Sequence, residues 1–403
     1  MTVFRSGRWA ALLVVLALAG CQSAGPTSQQ AATEDTSAGP APAGAPSSAL
    51  FYTKAGSLYV SAPAGTPGRR LTDGPADAQP APAPDLSRVA FIRKTAASDH
   101  GGELWVLDLS AQLEPVGAAR RLVDPAALPQ RRTGTPTQVI YPRWSPAGGQ
   151  VAFLADMTGG MVDGGTLLVT DADTGALAPR PTQPPEFAWA PFAAPAFDWA
   201  PDGSRIAWLD QRSDVRPTNV NVLTTATGQS APLATSTNAL SAIFARDGQT
   251  ILFANGDAPP DFILNTGGIY SVPTSGTPGP PTALFTGKGS SLSNLAVLDS
   301  GAMAFVASVP NRPGTQKIQV LDKGASQPRT VVTDLATEPV CYTTPRGEGT
   351  CYDIPTPAWD AAGLLAYLDN SPQGSLVVTD PDNRDPTKVD TGVESFAWAP
   401  RAE

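Results

Sequence analysis

One pattern returns six times along this chain and constrains its fold more than any other feature. A turn of the Pro-Asp-Gly type leads through polar residues into an apolar run that closes on an aromatic. It reads APDLSRVAF ending at Phe91, SPAGGQVAF at Phe153, APDGSRIAW at Trp208, ARDGQTILF at Phe253, LDSGAMAF at Phe305 and DAAGLLAY at Tyr367. Successive closing aromatics lie 62, 55, 45, 52 and 62 residues apart, whereas the core of eight or nine residues barely changes. The drift therefore belongs to connecting loops.

Each unit carries a second apolar run: ELWVLD at Glu103–Asp108, TLLVTD at Thr166–Asp171, VNVLTT at Val220–Thr225, GIYSVP at Gly268–Pro273, KIQVLD at Lys317–Asp322 and SLVVTD at Ser375–Asp380. Several units show a third, weaker run, as in ARRLVD, TALFTG and RTVVTD. A short segment also precedes many of the turns, ending at Trp144, Trp199 and Trp359. That makes four short strands per unit, enriched in β-branched and aromatic residues and bounded by Gly and Asp turns. No 3.6-residue apolar period is sustained past the N-terminus. Proline (42) and glycine (38) make about a fifth of the 403 residues, which breaks long helices and suits short strands. A four-stranded unit near 50 residues predicts an all-β fold built of propeller blades, because one small sheet cannot cover both its apolar faces but radial packing between two neighbours can.

The first unit, Ala49–Gly74, has the aromatic-ending run, the second run and the third, but no strand before them. The C-terminal Phe396-Ala397-Trp398 supplies that strand type. This predicts a seven-bladed β-propeller whose first blade is composite, with its innermost strand from the C-terminus, so that closing the ring hides exposed edges. The units at Pro80–Phe91 and Asn294–Phe305 lack the leading tryptophan, which leaves six blades as the alternative count. A second FAWAP, at Phe187–Pro191, is assigned to a loop entering a blade. The recurrent tryptophans Trp144, Trp199, Trp359 and Trp398 read as packing between blades rather than as a sugar-stacking set.

The units SPAGGQVAF, APDGSRIAW and ARDGQTILF, each followed by a short strand ending in Asp or Thr, resemble TolB-type (WD-like) β-propeller repeats over nearly all of residues 49–403. The resemblance implies a propeller in a bacterial envelope protein. It brings no partner-binding motif that can be matched here.

Residues 1–21, MTVFRSGRWAALLVVLALAGC, place two arginines before an apolar run from Trp9 to Ala19 and then small residues. This is a secretory signal layout, and the run is too short for a spanning helix of about 20 residues. Leu18-Ala19-Gly20-Cys21 resembles the bacterial lipoprotein signal, which implies cleavage before Cys21 and acylation of it. Gln22, in place of aspartate, implies the outer membrane where there is one. The domain reading is thus a signal peptide over 1–20, lipidated Cys21 with an Ala/Pro/Ser tether to residue 48, and a propeller over 49–403. The 27 tether residues Gln22–Ser48 span roughly 30 Å as a coil and about 80 Å extended.

The net charge of −9 becomes −11 without residues 1–20, with 25 basic against 36 acidic residues. Such a surface repels nucleic-acid phosphates and anionic head groups, leaving the N-terminal lipid as the membrane contact. With Cys21 assigned, Cys341 and Cys351 form an oxidisable pair closing a short loop. A disulfide there contributes roughly 2.5–3 kcal/mol. The acidic stretches Asp380-Pro-Asp382-Asn383-Arg-Asp385 and Asp171-Ala-Asp173 read as turn residues rather than calcium loops. His100, the single histidine, reads as a loop residue with no nameable catalytic partner, and there is no GxSxG elbow. The expectation is a monomeric binding scaffold for an envelope protein or glycan, without cofactor, metal or catalytic residues. Its contacts are sought at the connections Leu109–Tyr141 and Thr333–Pro357. The alternative is a propeller lyase or hydrolase acting on an envelope glycan or peptide.

Overall fold

The computed structural model describes residues 48–95, 101–129, 137–156, 165–179, 197–210, 218–257, 264, 266–275, 279–309, 314–333, 335–336, 338–343, 349–354, 357–360 and 362–399. Of the two units into which the chain divides, Met1–Ala43 lies outside these residues and Gly44–Glu403 holds all of them. Cys21, His100 and Phe187–Pro191 also fall outside.

Every repeat folds as an antiparallel sheet. Strands β1 (Leu50–Lys54), β2 (Ser57–Ser61) and β3 (Arg69–Arg70) open the chain. Next come β4 (Asp77–Pro82), β5 (Arg88–Arg93), β6 (Glu103–Asp108) and β7 (Arg120–Arg121). The third sheet holds β8 (Gln138–Trp144), β9 (Gln150–Asp156) and β10 (Gly165–Asp171). The fourth has β11 (Phe197–Trp199), β12 (Arg205–Asp210), β13 (Thr218–Thr224) and β14 (Gln229–Thr237). The fifth has β15 (Ala239–Phe244), β16 (Thr250–Asn255), β17 (Gly268–Pro273) and β18 (Thr282–Thr286). The sixth has β19 (Ser291–Val297), β20 (Met303–Ser308), β21 (Lys317–Leu321) and β22 (Arg329–Val332). A separate hairpin, β23 (Glu338–Thr343) with β24 (Gly349–Ile354), precedes the last sheet. That sheet holds β25 (Ala358–Trp359), β26 (Leu365–Leu368), β27 (Ser375–Thr379) and β28 (Thr387–Thr391). Finally β29 (Val393–Trp398) returns to pair with β1. The protein is a seven-bladed propeller, which settles the count between six and seven: the two units without a leading tryptophan form full four-stranded blades. Among the described residues the third sheet has three strands, and its fourth place shows only a bridge between Thr170 and Leu177.

Blade-to-blade packing explains the repeat residue by residue. Phe91, Phe153, Phe253 and Phe305 have no exposed surface, and Trp208 and Tyr367 are buried beside them. Full burial of such a ring contributes about 1.5–3 kcal/mol. The tryptophans lie between blades, as their recurrence predicts. Trp144 donates its indole N–H to the Ala81 carbonyl (2.7 Å), Trp199 to Arg143 (3.2 Å) and Trp398 to Ala358 (3.0 Å), each on the preceding inner strand. The arginine after the turn reaches the other way. Arg88 stacks on Trp144 of the next blade and donates to the Gly148 carbonyl, and Arg205 does the same to Phe244 and Gly248. The turn glycine is required where Gly248, at φ 62°, sits 3.4 Å (measured from an added Cβ) from Pro201 of the neighbouring turn.

Closure of the ring uses both chain ends. Leu50 pairs with Trp398, Phe51 with Ala397, Tyr52 with Phe396 and Thr53 with Ser395. Leu50, Tyr52, Ala366, Leu376, Val378, Val393 and Trp398 form one apolar cluster across the joint. Beside it, Asp390 of β28 accepts hydrogen bonds from Tyr52 Oη (2.8 Å) and Lys54 Nζ (2.6 Å) of β1. Burial pushes the Asp390 carboxyl up, but the bonds from Lys54, the Thr391 N–H and Tyr52 outweigh it, and its pKa is lowered. A lowered carboxylate pKa contributes stability that is present above the unfolded value, near 4, and lost as pH falls through the folded one. In melts of wild type and Asp390→Asn, the wild-type advantage is therefore expected at pH 7 and shrinks toward pH 3. An advantage independent of pH would remove Asp390 from this role.

Candidate functional site at the axial rim

In each blade the inner strand pairs with one strand of its own sheet and turns its other edge toward the axis, where the described residues add only single bridges at Val139 and Ser291. Five inner strands break register there. The breaks pass Glu394 in β29, Gln79-Pro80 in β4, Tyr141-Pro142 in β8, Leu240 in β15 and Asn294-Leu295 in β19. Gln79, Tyr141 and Asn294 are left-handed, with φ of 49°, 53° and 52°. A non-glycine residue held there costs about 1–3 kcal/mol, and such strain clusters at functional sites.

A bulge takes backbone N–H groups out of the ladder, and they must be satisfied elsewhere. Here the neighbouring blade does so. Ser395 Oγ accepts from the Gln79 N–H (2.9 Å), and Gln79 Oε1 accepts from the Tyr141 N–H (2.7 Å). Ser241 Oγ accepts from the Leu295 N–H (3.0 Å). Outside the bulges, at the far end of β15, Asp198 Oδ2 accepts from the Phe244 N–H of the next blade (2.9 Å). Arg143 donates to the Phe197 carbonyl (2.8 Å) and lies 3.7 Å from Asp198. Burial raises the Asp198 carboxyl pKa, against the opposing pull of Arg143 and the Phe244 N–H. The Asp198 side chain is itself 24 % exposed.

Along these strands Tyr141 is 38 % exposed and Glu394 is exposed. An exposed phenol whose backbone is pinned by the Gln79 amide suits contact with a ligand that has a flat apolar face. Of the two connections singled out by length, Leu109–Tyr141 ends in this bulge, whereas Thr333–Pro357 contains the β23–β24 hairpin. That hairpin sets Cys341 directly opposite Cys351. Gly101, next to His100, donates to Gln138 Oε1 (2.9 Å), and Gly102 pairs with Val139, two residues before Tyr141. The acidic stretches are turns, as expected. Asp380 accepts from the N–H groups of Asp382 and Arg384, and Asp171 from those of Asp173 and Thr174. Sequence reasoning did not find the axial set. A usable signal was present in Gln79-Pro80 and Tyr141-Pro142, since proline inside a strand marks an edge or a bulge.

No protein-family model matches the sequence, and no curated protein does. Solved structures do. The tricorn protease aligns with a TM-score of 0.55 at 11 % identity, over 87 % of this chain and 34 % of that one. The propeller domain of the Trilobed protease from Pyrococcus furiosus aligns with 0.51 at 12 %, over 82 % and 86 %. What is shared is the propeller fold. TolB from Acinetobacter baumannii aligns with 0.48 at 15 %, over 78 % and 67 %. The Pyrococcus propeller is described as having an open velcro topology. This chain differs, with β29 and β1 closing its ring.

Proposed function

We propose that this protein is an extracytoplasmic lipoprotein, anchored through Cys21, whose propeller binds an envelope protein or glycan at the axial rim. The observation that supports the binding site is the exposed Tyr141, held left-handed in the β8 bulge with its N–H on Gln79 of the preceding blade. The signal layout of residues 1–21 supports export and acylation. A Cys341–Cys351 disulfide belongs to the same reading, because an oxidising compartment permits it and directly opposed strand positions suit it.

One preparation tests these parts together. Full-length protein is captured from envelope extracts beside the Tyr141→Ala and Glu394→Lys variants, and its peptides are weighed. Expected are an acylated Cys21, no free thiol at Cys341 or Cys351, and a partner or glycan retained by wild type and depleted about tenfold by the variants. An unmodified Cys21 would overturn the anchor, and free thiols the disulfide. A ligand held equally by all three proteins would overturn the axial site.

A further inference from the structure

One residue ties three blades together along the inner strands. Gln79, in the bulge of β4, is left-handed with a φ of 49°. Its backbone N–H donates to Ser395 Oγ of the first blade (2.9 Å), and its side-chain Oε1 accepts from the Tyr141 N–H of the third (2.7 Å). Ser395 Oγ also shares a hydrogen bond with Thr53 Oγ1 (2.7 Å), directly opposite it in the β1–β29 register. Thr53 has no exposed surface, so this end of the series is fixed in the joint of the two chain ends. The other end is the exposed Tyr141.

The coupling is one of geometry. Pro80 and Pro142 follow Gln79 and Tyr141 in their bulges and have no N–H, so each bulge presents a single N–H to be met from another blade. Ser395 meets the first and Gln79 the second. A non-glycine residue stays left-handed only while its surroundings over-determine it. Removing the Ser395 acceptor takes away one of the contacts that hold Gln79 in that form, and the Gln79 amide moves off the Tyr141 N–H. The strand β4 holds β8 again three residues on, where Trp144 donates its indole N–H to the Ala81 carbonyl (2.7 Å). The Tyr141-Pro142 bulge is therefore shaped between two contacts to β4.

We propose that Ser395 and Gln79 are positioning residues for the axial site. Docking of β29, which closes the ring, sets the backbone of Tyr141 two blades away, and the site is formed in the closed ring alone. Its bearing on binding rests on the axial site proposed above, whereas the coupling itself is measured without a ligand.

The chain has seven tyrosines, so labelling the full-length protein with 15N-tyrosine gives few enough backbone amide signals to resolve, and Tyr141→Phe assigns the one of interest. Solvent exchange of the Tyr141 amide is expected to rise about tenfold in Gln79→Met and in Ser395→Ala, the size of effect set by one lost hydrogen bond. Ser395→Thr keeps the hydroxyl and should restore wild-type exchange. Ser241→Ala removes the comparable serine acceptor between the fifth and sixth blades and should leave Tyr141 as it is. The remaining tyrosine signals report that each variant is folded. An unchanged Tyr141 amide in Ser395→Ala, no rescue by Ser395→Thr, or an equal change in Ser241→Ala would overturn the coupling. A partner captured equally by wild type and Tyr141→Ala would overturn the axial site and leave the coupling standing.

Discussion

Deleting Ser395–Glu403 is expected to abolish the cooperative melt of the full-length protein or lower its midpoint by more than any point substitution, although it removes nine residues of 403. The deletion takes most of the inner strand of the first blade. It breaks the pairing of Leu50, Phe51, Tyr52 and Thr53 with Trp398, Ala397, Phe396 and Ser395. It removes Trp398, which is buried in the closing cluster and bonded to Ala358 of the last blade. It also strips Ser395 from Thr53 and from the Gln79 N–H, so the second blade loses a partner. Losing one buried tryptophan alone costs about 3–5 kcal/mol. The exposed β1 edge and the orphaned N–H groups add to this. A domain holds only about 5–15 kcal/mol in total. A truncated protein that melts like the full-length chain would show that β29 does not close the ring.

The second large effect belongs to one carboxylate. Asp77 is 1 % exposed at the start of β4, where Arg93 of β5 clamps it with two bonds of 2.6 and 3.0 Å. Thr72 Oγ1 donates a third at 2.6 Å. The Arg93 guanidinium in turn lies over the rings of Phe91 and Trp105. Asp77→Ala leaves that guanidinium uncompensated among aromatic rings and the Thr72 hydroxyl without its acceptor. Removing one partner of such a pair costs about 3–5 kcal/mol. Denaturant unfolding should show this loss, and the Asp77→Ala, Arg93→Met double variant should recover part of it. If the double variant is as unstable as the sum of the single ones, the pair is not coupled.

The repeat was legible because it is a local signal written six times. Each turn from Ala200 to Arg205 or Ala245 to Thr250 closes on its own backbone bonds and its own aspartate. Each closing aromatic must be buried wherever the fold places it. Even the composite blade could be read, since a strand type missing at Ala49 was in surplus at Trp398. The axial set could not be read this way. Gln79, Tyr141, Asp198 and Ser395 belong to four different units and share no motif, and their bonds run between blades.

By itself, the sequence determined the blade unit, the seven-fold count up to one blade, and the strand that closes the ring. These follow from periodic burial and turn chemistry, which act over ten residues or fewer. Only the tertiary structure decided where the strands bulge and which groups of neighbouring blades bond along the inner strands. Those features depend on distances between residues up to about 340 positions apart, and packing alone sets such distances.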